Sequence, residues 1–161
     1  MSSEPRVKKT IKRYRVRLDL DRPLRLGEGD AVSGPASAAG VARLALRGEA
    51  SEVLIVLAVD SRGRVVSVVE VARGGASSLC AYAPEVLRAV LLSGVNGFVL
   101  AHNHPSGDPT PSAEDVHFTK RVNAAADAVG LSLLDHVVVG EPGRGYCPGY
   151  VSMLDAGLIE G

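Results

Sequence analysis

The alternation of apolar and polar positions along the chain predicts a series of short strands and helices. Residues 52–59 form an almost continuous apolar run, which is typical of a strand covered on both faces. A polar turn and a second apolar segment at 65–71 follow, so the two segments predict a hairpin. Apolar spacing of three to four residues predicts a helix over 113–129 that ends before a glycine. The other predicted elements are strands at 14–20, 98–101 and 131–139, and helices at 37–46, 84–92 and 152–158.

This mixture of elements predicts a single α/β domain with a mixed β-sheet flanked by helices. The 161 residues suit one domain with a sizeable core, and 46% hydrophobic against 22% charged residues argues against disorder. We expect a flexible arm at 1–13 and the domain at 14–161, with its motif core at 52–140.

Composition also bears on the compartment and on partners. No apolar stretch reaches the roughly 18 residues of a membrane span, and the charged N-terminus lacks the apolar core of a signal peptide. We therefore expect a cytoplasmic protein without a membrane partner. Cys80 and Cys147 form no CxxC pair, and we interpret both as small, partly buried hydrophobic residues. An exposed edge strand at 15–20, or an exposed helix at 37–46, would offer a dimer contact, so the oligomeric state stays open.

The formal net charge of zero conceals a basic N-terminal segment. Residues 1–25 contain nine basic and three acidic residues, a net charge of +6, and the remaining 136 residues carry −6. Clustered cations neutralise phosphates, so residues 6–25 are a candidate nucleic-acid contact. The alternative is a solubilising tail, which the aromatic content of only 4% favours.

Two histidines and an aspartate have the spacing of a metal site. In an extended segment, residues i and i+2 project to the same side, so His102 and His104 can present two imidazoles together. Asp115 lies one turn inside the next predicted helix, and the proline-rich loop at 105–111 can fold that turn back onto the histidines. Two His and one Asp leave a fourth position vacant, which is the catalytic form of a zinc site. Such a site activates water and polarises a carbonyl group.

This chemistry also needs a general base, for which Glu52 is the candidate because it opens the most apolar strand. Glu70, near another strand end, is the second choice. Ser112 would line the same pocket and hydrogen-bond the developing oxyanion. Each residue also has a structural interpretation. Ser112 and Asp115 have the spacing of a capping box, and Glu52 alone would be a surface carboxylate at a strand edge.

The remaining histidines have no ligand-like partner in register. We interpret His117 as a helix-surface residue and His136 as a satisfied strand residue, with Asp135 nearby. A zinc nucleobase deaminase is excluded because the chain has no CxxC pair. The letters His-Asn-His at 102–104 do not make an HNH nuclease, whose motif residues are spread over a longer segment.

The spacing His102-x-His104-x7-Ser112-x2-Asp115 resembles the signature of the JAMM (MPN+/JAB) metallopeptidases in every position. Its surroundings at 101–115, then Thr119 and the residues at 134–136, resemble the RadC family more specifically, and the likeness extends from about 32 to 159. It implies the cytidine-deaminase-like α/β sandwich of JAMM domains. It further implies a zinc ion bound by His102, His104 and Asp115, with Glu52 matching the family's upstream glutamate.

The expected function is therefore that of a zinc metallopeptidase or isopeptidase acting on a protein or peptide substrate that the sequence does not identify. The alternative is a DNA-repair-associated or nucleic-acid-binding accessory protein, in line with the traditional label of RadC-like sequences. This chain departs from the family at residues 83–86, where Ala-Pro-Glu-Val stands in place of Pro-Arg-Glu-Val. If the missing arginine binds substrate, the substrate of this chain differs, whereas the metal ligands are unaffected.

Overall fold

The computed structural model describes residues 15, 17–25, 31–74, 83–142 and 148–160. The predicted arm at 1–13 and both cysteines lie outside these residues. Within them the chain forms, in order, α1 (Pro35–Ala45), β1 (Val53–Val59), β2 (Val65–Arg73), α2 (Ala83–Ser93), β3 (Gly97–Asn103), α3 (Ala113–Ala128), β4 (Ser132–Val139) and β5 (Tyr150–Ser152). One sheet of order β2-β1-β3-β4-β5 contains these strands. Strands β3 and β4 pair in parallel and the other neighbours pair antiparallel, which confirms the predicted mixed sheet.

Strand β1 lies between two hydrophobic cores, one on each face of the sheet. All seven of its residues are buried. Leu54 and Val56 belong to a core shared with α2 and α3, whereas Val53 and Ile55 belong to a core shared with α1. Helices on both faces explain why the sequence of β1 is apolar throughout instead of alternating. The predicted hairpin of β1 and β2 is confirmed, with β2 continuing to Arg73.

The helices have boundaries that local chemistry explains. Helix α1 starts two residues before its predicted start because the fixed φ of Pro35 suits the first helical position. Helix α3 ends before Gly130, which adopts a φ of 75° and so takes the left-handed conformation that closes many helices. No helix in the described ranges is both long enough and apolar enough to cross a membrane.

Two segments that are distant in sequence meet at one end of the sheet. Because β1 and β3 are antiparallel neighbours, the start of β1 lies beside the end of β3. The loop after β3 is attached to the end of β4, where the His104 amide donates to the Val139 carbonyl at 3.0 Å. Gly140 permits this close approach, since a Cβ there would lie 2.2 Å from the Gly107 carbonyl oxygen. This end of the sheet therefore collects the candidate site residues.

The predicted strand at 14–20 is wrong for the part that the structure describes. Residues 15 and 17–20 belong to no β-ladder, and the apolar side chains of Leu18 and Leu20 are 42% and 85% exposed. Alternation produces a strand only where one face is buried and a neighbouring strand pairs with it, and the described residues of this segment have neither. The described part of 15–20 therefore forms no edge strand, and the dimer contact suggested there stays a prediction.

The predicted helix at 152–158 is also wrong. Residues 150–152 form β5, which pairs with the end of β4, and residues 153–157 form turns. The Asp135 carboxylate accepts hydrogen bonds from the Ser152 hydroxyl at 2.6 Å and the Leu154 amide at 3.1 Å. These tertiary hydrogen bonds override a weak local helical preference.

Candidate metal centre

Glu52 directly precedes β1, and its backbone is held on both sides. The Asn103 side chain at the end of β3 accepts a hydrogen bond from the Val53 amide and donates one to the Ser51 carbonyl, each at 2.9 Å. The Gly74 amide donates to the Glu52 carbonyl at 2.8 Å. Asn103 therefore joins the residues around Glu52 to the strand end that carries the two histidines.

The carboxylate of Glu52 lies beside those histidines. One donor atom from each of Glu52, His102 and His104 lies within 4.8 Å of the other two, so the group can hold a metal ion. The Oε1 atom of Glu52 is buried and has no hydrogen-bond partner among the described residues. Burial raises the pKa of Glu52, and the neighbouring charge of His102 opposes this shift. A carboxylate with a raised pKa accepts a proton more readily than an ordinary surface carboxylate.

His102 and His104 direct two ring nitrogens to the same point. His102 belongs to β3 and is fully buried, His104 follows β3 and is partly buried, and their Nε2 atoms are 3.0 Å apart. His104 Nδ1 lies 2.7 Å from the carbonyl oxygen of Asp108. Because a carbonyl can only accept, Nδ1 carries a proton, so the nitrogen available to a metal ion is Nε2. The neighbouring Asp115 carboxylate raises the pKa of His104, against the opposing effect of burial.

Asp115 combines the predicted capping role with proximity to the histidines. The Ser112 hydroxyl accepts from the Asp115 amide at 3.1 Å, and the Ser112 amide and hydroxyl donate to Asp115 Oδ2 at 2.8 and 2.6 Å. This capping box places Asp115 Oδ2 3.6 Å from His102 Nε2 and 3.7 Å from His104 Nε2. Burial tends to raise the pKa of Asp115, but the two neighbouring histidines and the hydrogen bond from Ser112 together hold it well below its usual range.

The separations of these atoms fit a small divalent metal ion. Bonds of about 2.0–2.1 Å in a tetrahedral zinc site place the ligand atoms about 3.3–3.4 Å apart. The two Nε2 atoms and Asp115 Oδ2 are separated by 3.0, 3.6 and 3.7 Å, on both sides of that value. Asp115 Oδ1 is also buried without a hydrogen-bond partner in the described part of the chain. Converging nitrogen and oxygen donors with unpartnered buried oxygens beside them are a donor set that suits zinc.

Two further residues complete the surroundings of His102. Its Nδ1 lies 2.8 Å from Nε2 of His136, and Nδ1 of His136 lies 2.6 Å from the Thr119 hydroxyl. Burial lowers the pKa of His136 well below its usual value, with the charge of His102 acting in the same direction. The interpretation of His136 as a satisfied strand residue is confirmed, but sequence spacing did not connect it to His102. The sequence analysis noted Thr119 only for its likeness to the RadC family, but its position four residues after Asp115, on the same helix face, already indicates that it lies near Asp115.

The other candidates lie elsewhere. Glu70 pairs with Ile55 in the β1–β2 ladder, and both of its carboxylate oxygens accept hydrogen bonds from Arg73. Its carboxylate is therefore engaged and is not part of the Glu52 group. His117 is exposed on α3, as expected for a helix-surface residue.

A cleft adjoins His104. This cleft has a volume of about 180 Å³ and is bordered by His104, Asn103 and the side chain of Arg43. A larger cavity of about 540 Å³ lies between residues 17–24 and strands β1 and β2, away from the histidines. The smaller cleft is the one that reaches a converging donor, His104.

The chain is similar in sequence to known proteins. Residues 32–158 match the family model described as RadC-like JAB domain. A UPF0758 protein of Clostridium perfringens is 34% identical over 110 residues, which are 68% of this chain and 48% of that protein. A UPF0758 protein of Stenotrophomonas maltophilia is 39% identical over 136 residues, 84% of this chain and 56% of that protein. The chain thus spans about half the length of these curated relatives, whose names state no activity.

Proposed function

Because this chain belongs to the RadC-like JAB domain family, we propose that it is a zinc-dependent metallopeptidase or isopeptidase that hydrolyses an amide bond in a protein or peptide. The observation that carries the proposal is the convergence of two histidine nitrogens and one carboxylate oxygen at separations of 3.0–3.7 Å. A partly buried carboxylate, that of Glu52, lies next to them with an unpartnered oxygen among the described residues.

Each residue has a separate role in this proposal. His102, His104 and Asp115 hold the metal through the two Nε2 atoms and the carboxylate. Zinc bound there supplies a Lewis acid that polarises the substrate carbonyl and lowers the pKa of water. Glu52 takes the proton from the attacking water and passes it to the leaving amine, which balances the hydrolysis. Its raised pKa supports the first of these two proton transfers.

Ser112 has a role that depends on its hydroxyl proton. That proton is donated to Asp115 Oδ2 at 2.6 Å, so the hydroxyl orients the carboxylate. A contact with the oxyanion requires the hydroxyl to rotate away from Asp115 when substrate binds. We propose the orienting role for Ser112 in the resting protein and the oxyanion contact in the substrate complex.

The test combines metal analysis with hydrolysis of peptide and isopeptide libraries. Wild type is expected to bind one zinc ion per chain and to cleave part of the library. Glu52→Gln is expected to retain zinc and lose hydrolysis, whereas Glu70→Gln, a matched control on the neighbouring strand, retains both. Loss of zinc in Glu52→Gln would make Glu52 a ligand instead of the base. A wild type that binds no zinc, or a Glu52→Gln protein that remains active, would contradict the mechanism.

A second proposed function is a contact with nucleic acid through residues 6–25. Its support is the net charge of +6 on residues 1–25. Binding to DNA should weaken steeply as salt rises, because cations on the protein displace counterions from the phosphates. A chain lacking residues 1–17 should lose this binding, and unchanged binding after the deletion would contradict the proposal.

A further inference from the structure

His136 is buried in the sheet beside His102. It lies on β4, the parallel neighbour of β3, and its ring is fully buried. The ring centroids of His136 and His102 are 4.8 Å apart and the ring planes meet at 66°, so the edge of one ring faces the other. The bond from His102 Nδ1 to His136 Nε2 is 2.8 Å long. His102 thus has one nitrogen directed to the proposed metal ligands and the other to His136.

The protons in this series of hydrogen bonds can be assigned by starting from Thr119. The Thr119 hydroxyl lies 2.6 Å from the Asp115 carbonyl and 3.5 Å from the sulfur of Met153, both of which only accept. Its single proton is therefore used, and the hydroxyl oxygen accepts from His136 Nδ1. A neutral imidazole has one N–H, so His136 Nε2 must accept from His102 Nδ1. His102 is left with a bare lone pair on Nε2, directed towards His104 Nε2 at 3.0 Å.

We propose that His136, supported by Thr119, is a positioning residue that locks His102 in the tautomer and orientation needed to bind the metal ion. The proposal rests on the metal centre of the proposed function. Ligating histidines commonly donate their second N–H to a carboxylate, carbonyl or water, and the loss of such a partner weakens metal binding. Here a second imidazole takes that role. The same series of hydrogen bonds ends on the backbone of Asp115, so it links one proposed ligand to another across β3, β4 and α3.

The position of His102 explains why the hydrogen-bond partner of its Nδ1 atom is a side chain. His104 lies in a loop, where the Asp108 carbonyl is available to its Nδ1. His102 lies inside β3, which pairs with β1 on one side and β4 on the other. Carbonyl groups of central strands are engaged in the ladders, so the second nitrogen of a buried strand histidine needs a side-chain partner.

Zinc affinity measured by competition with a chelator tests the proposal without a substrate. His136→Phe keeps the ring size but removes the acceptor, and it is expected to bind zinc about 10–100-fold more weakly than wild type. His136→Gln can still accept from His102 Nδ1 and should restore most of that loss. Thr119→Val should weaken zinc binding, whereas Thr119→Ser, which keeps the hydroxyl, should stay close to wild type.

Ser67→Ala is the matched control for a purely structural role. It removes a partly buried hydrogen bond of the same sheet, that between the hydroxyls of Ser67 and Ser93 at 2.7 Å, on β2, which β1 and β3 separate from β4. It should lower the melting temperature while leaving zinc affinity unchanged. Unchanged affinity in His136→Phe and Thr119→Val, or a comparable loss of affinity in Ser67→Ala, would overturn the proposal.

Nitrogen NMR of the imidazoles in metal-free protein provides a second measurement. His102 should be protonated on Nδ1 alone in wild type, and Thr119→Val should produce a mixture of tautomers. A mixture in wild type would overturn the proposal. If wild type binds no zinc, the proposed function fails, and the tautomer of His102 still decides whether His136 positions it.

Discussion

Replacement of Asn103 by alanine should loosen the start of β1 without touching a proposed metal ligand. The Asn103 side chain makes two hydrogen bonds of 2.9 Å, to the Val53 amide and the Ser51 carbonyl. A hydrogen bond contributes about 0.5–1.5 kcal/mol net to stability. Ser51 is exposed, so water replaces that partner, whereas Val53 is buried and its amide is left unpaired. We therefore expect Asn103→Ala to lower the free energy of unfolding by about 1–2 kcal/mol.

Urea unfolding followed by circular dichroism measures this loss, and amide exchange at Val53 should become faster. Asn123→Ala is the matched control, since its side chain makes an exposed hydrogen bond to the Glu160 carbonyl at 3.1 Å. It should change stability by less than about 0.5 kcal/mol. Because Glu52 lies between the two anchored residues, Asn103→Ala should also reduce hydrolysis while retaining zinc. An unfolding free energy equal to that of Asn123→Ala would refute the reasoning.

Four other substitutions give contrasting results. Folding holds the pKa of Asp115 well below its usual range, so its stabilisation is present above about pH 4 and is lost as pH falls further. Asp115→Asn should thus destabilise the metal-free protein at neutral pH, with the difference in urea unfolding shrinking below about pH 4. Gly140→Ala should weaken zinc binding, because the added Cβ would lie 2.2 Å from the Gly107 carbonyl oxygen. Gly40→Ala on α1 adds a Cβ with no neighbouring atom within 4 Å, so it should stabilise the protein by about 0.5–1 kcal/mol in thermal unfolding. Leu57→Ala, at a fully buried position, should cost about 2–5 kcal/mol in urea unfolding, and a loss below about 1 kcal/mol would contradict its place in the core.

Strand β1 shows when hydrophobic patterning is sufficient to predict an element. Its apolar run matches a strand that is buried on both faces, and no other element type of that length fits as well. Residues 15–20 show the opposite case. Their alternation is equally regular, yet Leu18 and Leu20 are exposed and the described residues join no ladder. A single sequence contains no information on whether a neighbouring strand is available to pair with such a segment.

Part of the site is local and was therefore predictable. Ser112 and Asp115 are three residues apart, and the capping box forms because helix α3 starts at this point. His102 and His104 project to one side because they are two residues apart at the end of a strand. These short-range relations depend on backbone geometry alone, which the sequence pattern indicates directly.

The contacts between distant segments were decided by the tertiary structure. The sequence by itself determined the donor types, the cap that orients Asp115 and the apolar strand that follows Glu52. The antiparallel register of β1 and β3 brings Glu52 to histidines fifty residues away, and the parallel pairing of β3 with β4 brings His136 to His102. The physical reason is that register is set by the summed burial of two cores and by the ladder hydrogen bonds, so no residue near Glu52 or His136 specifies it alone.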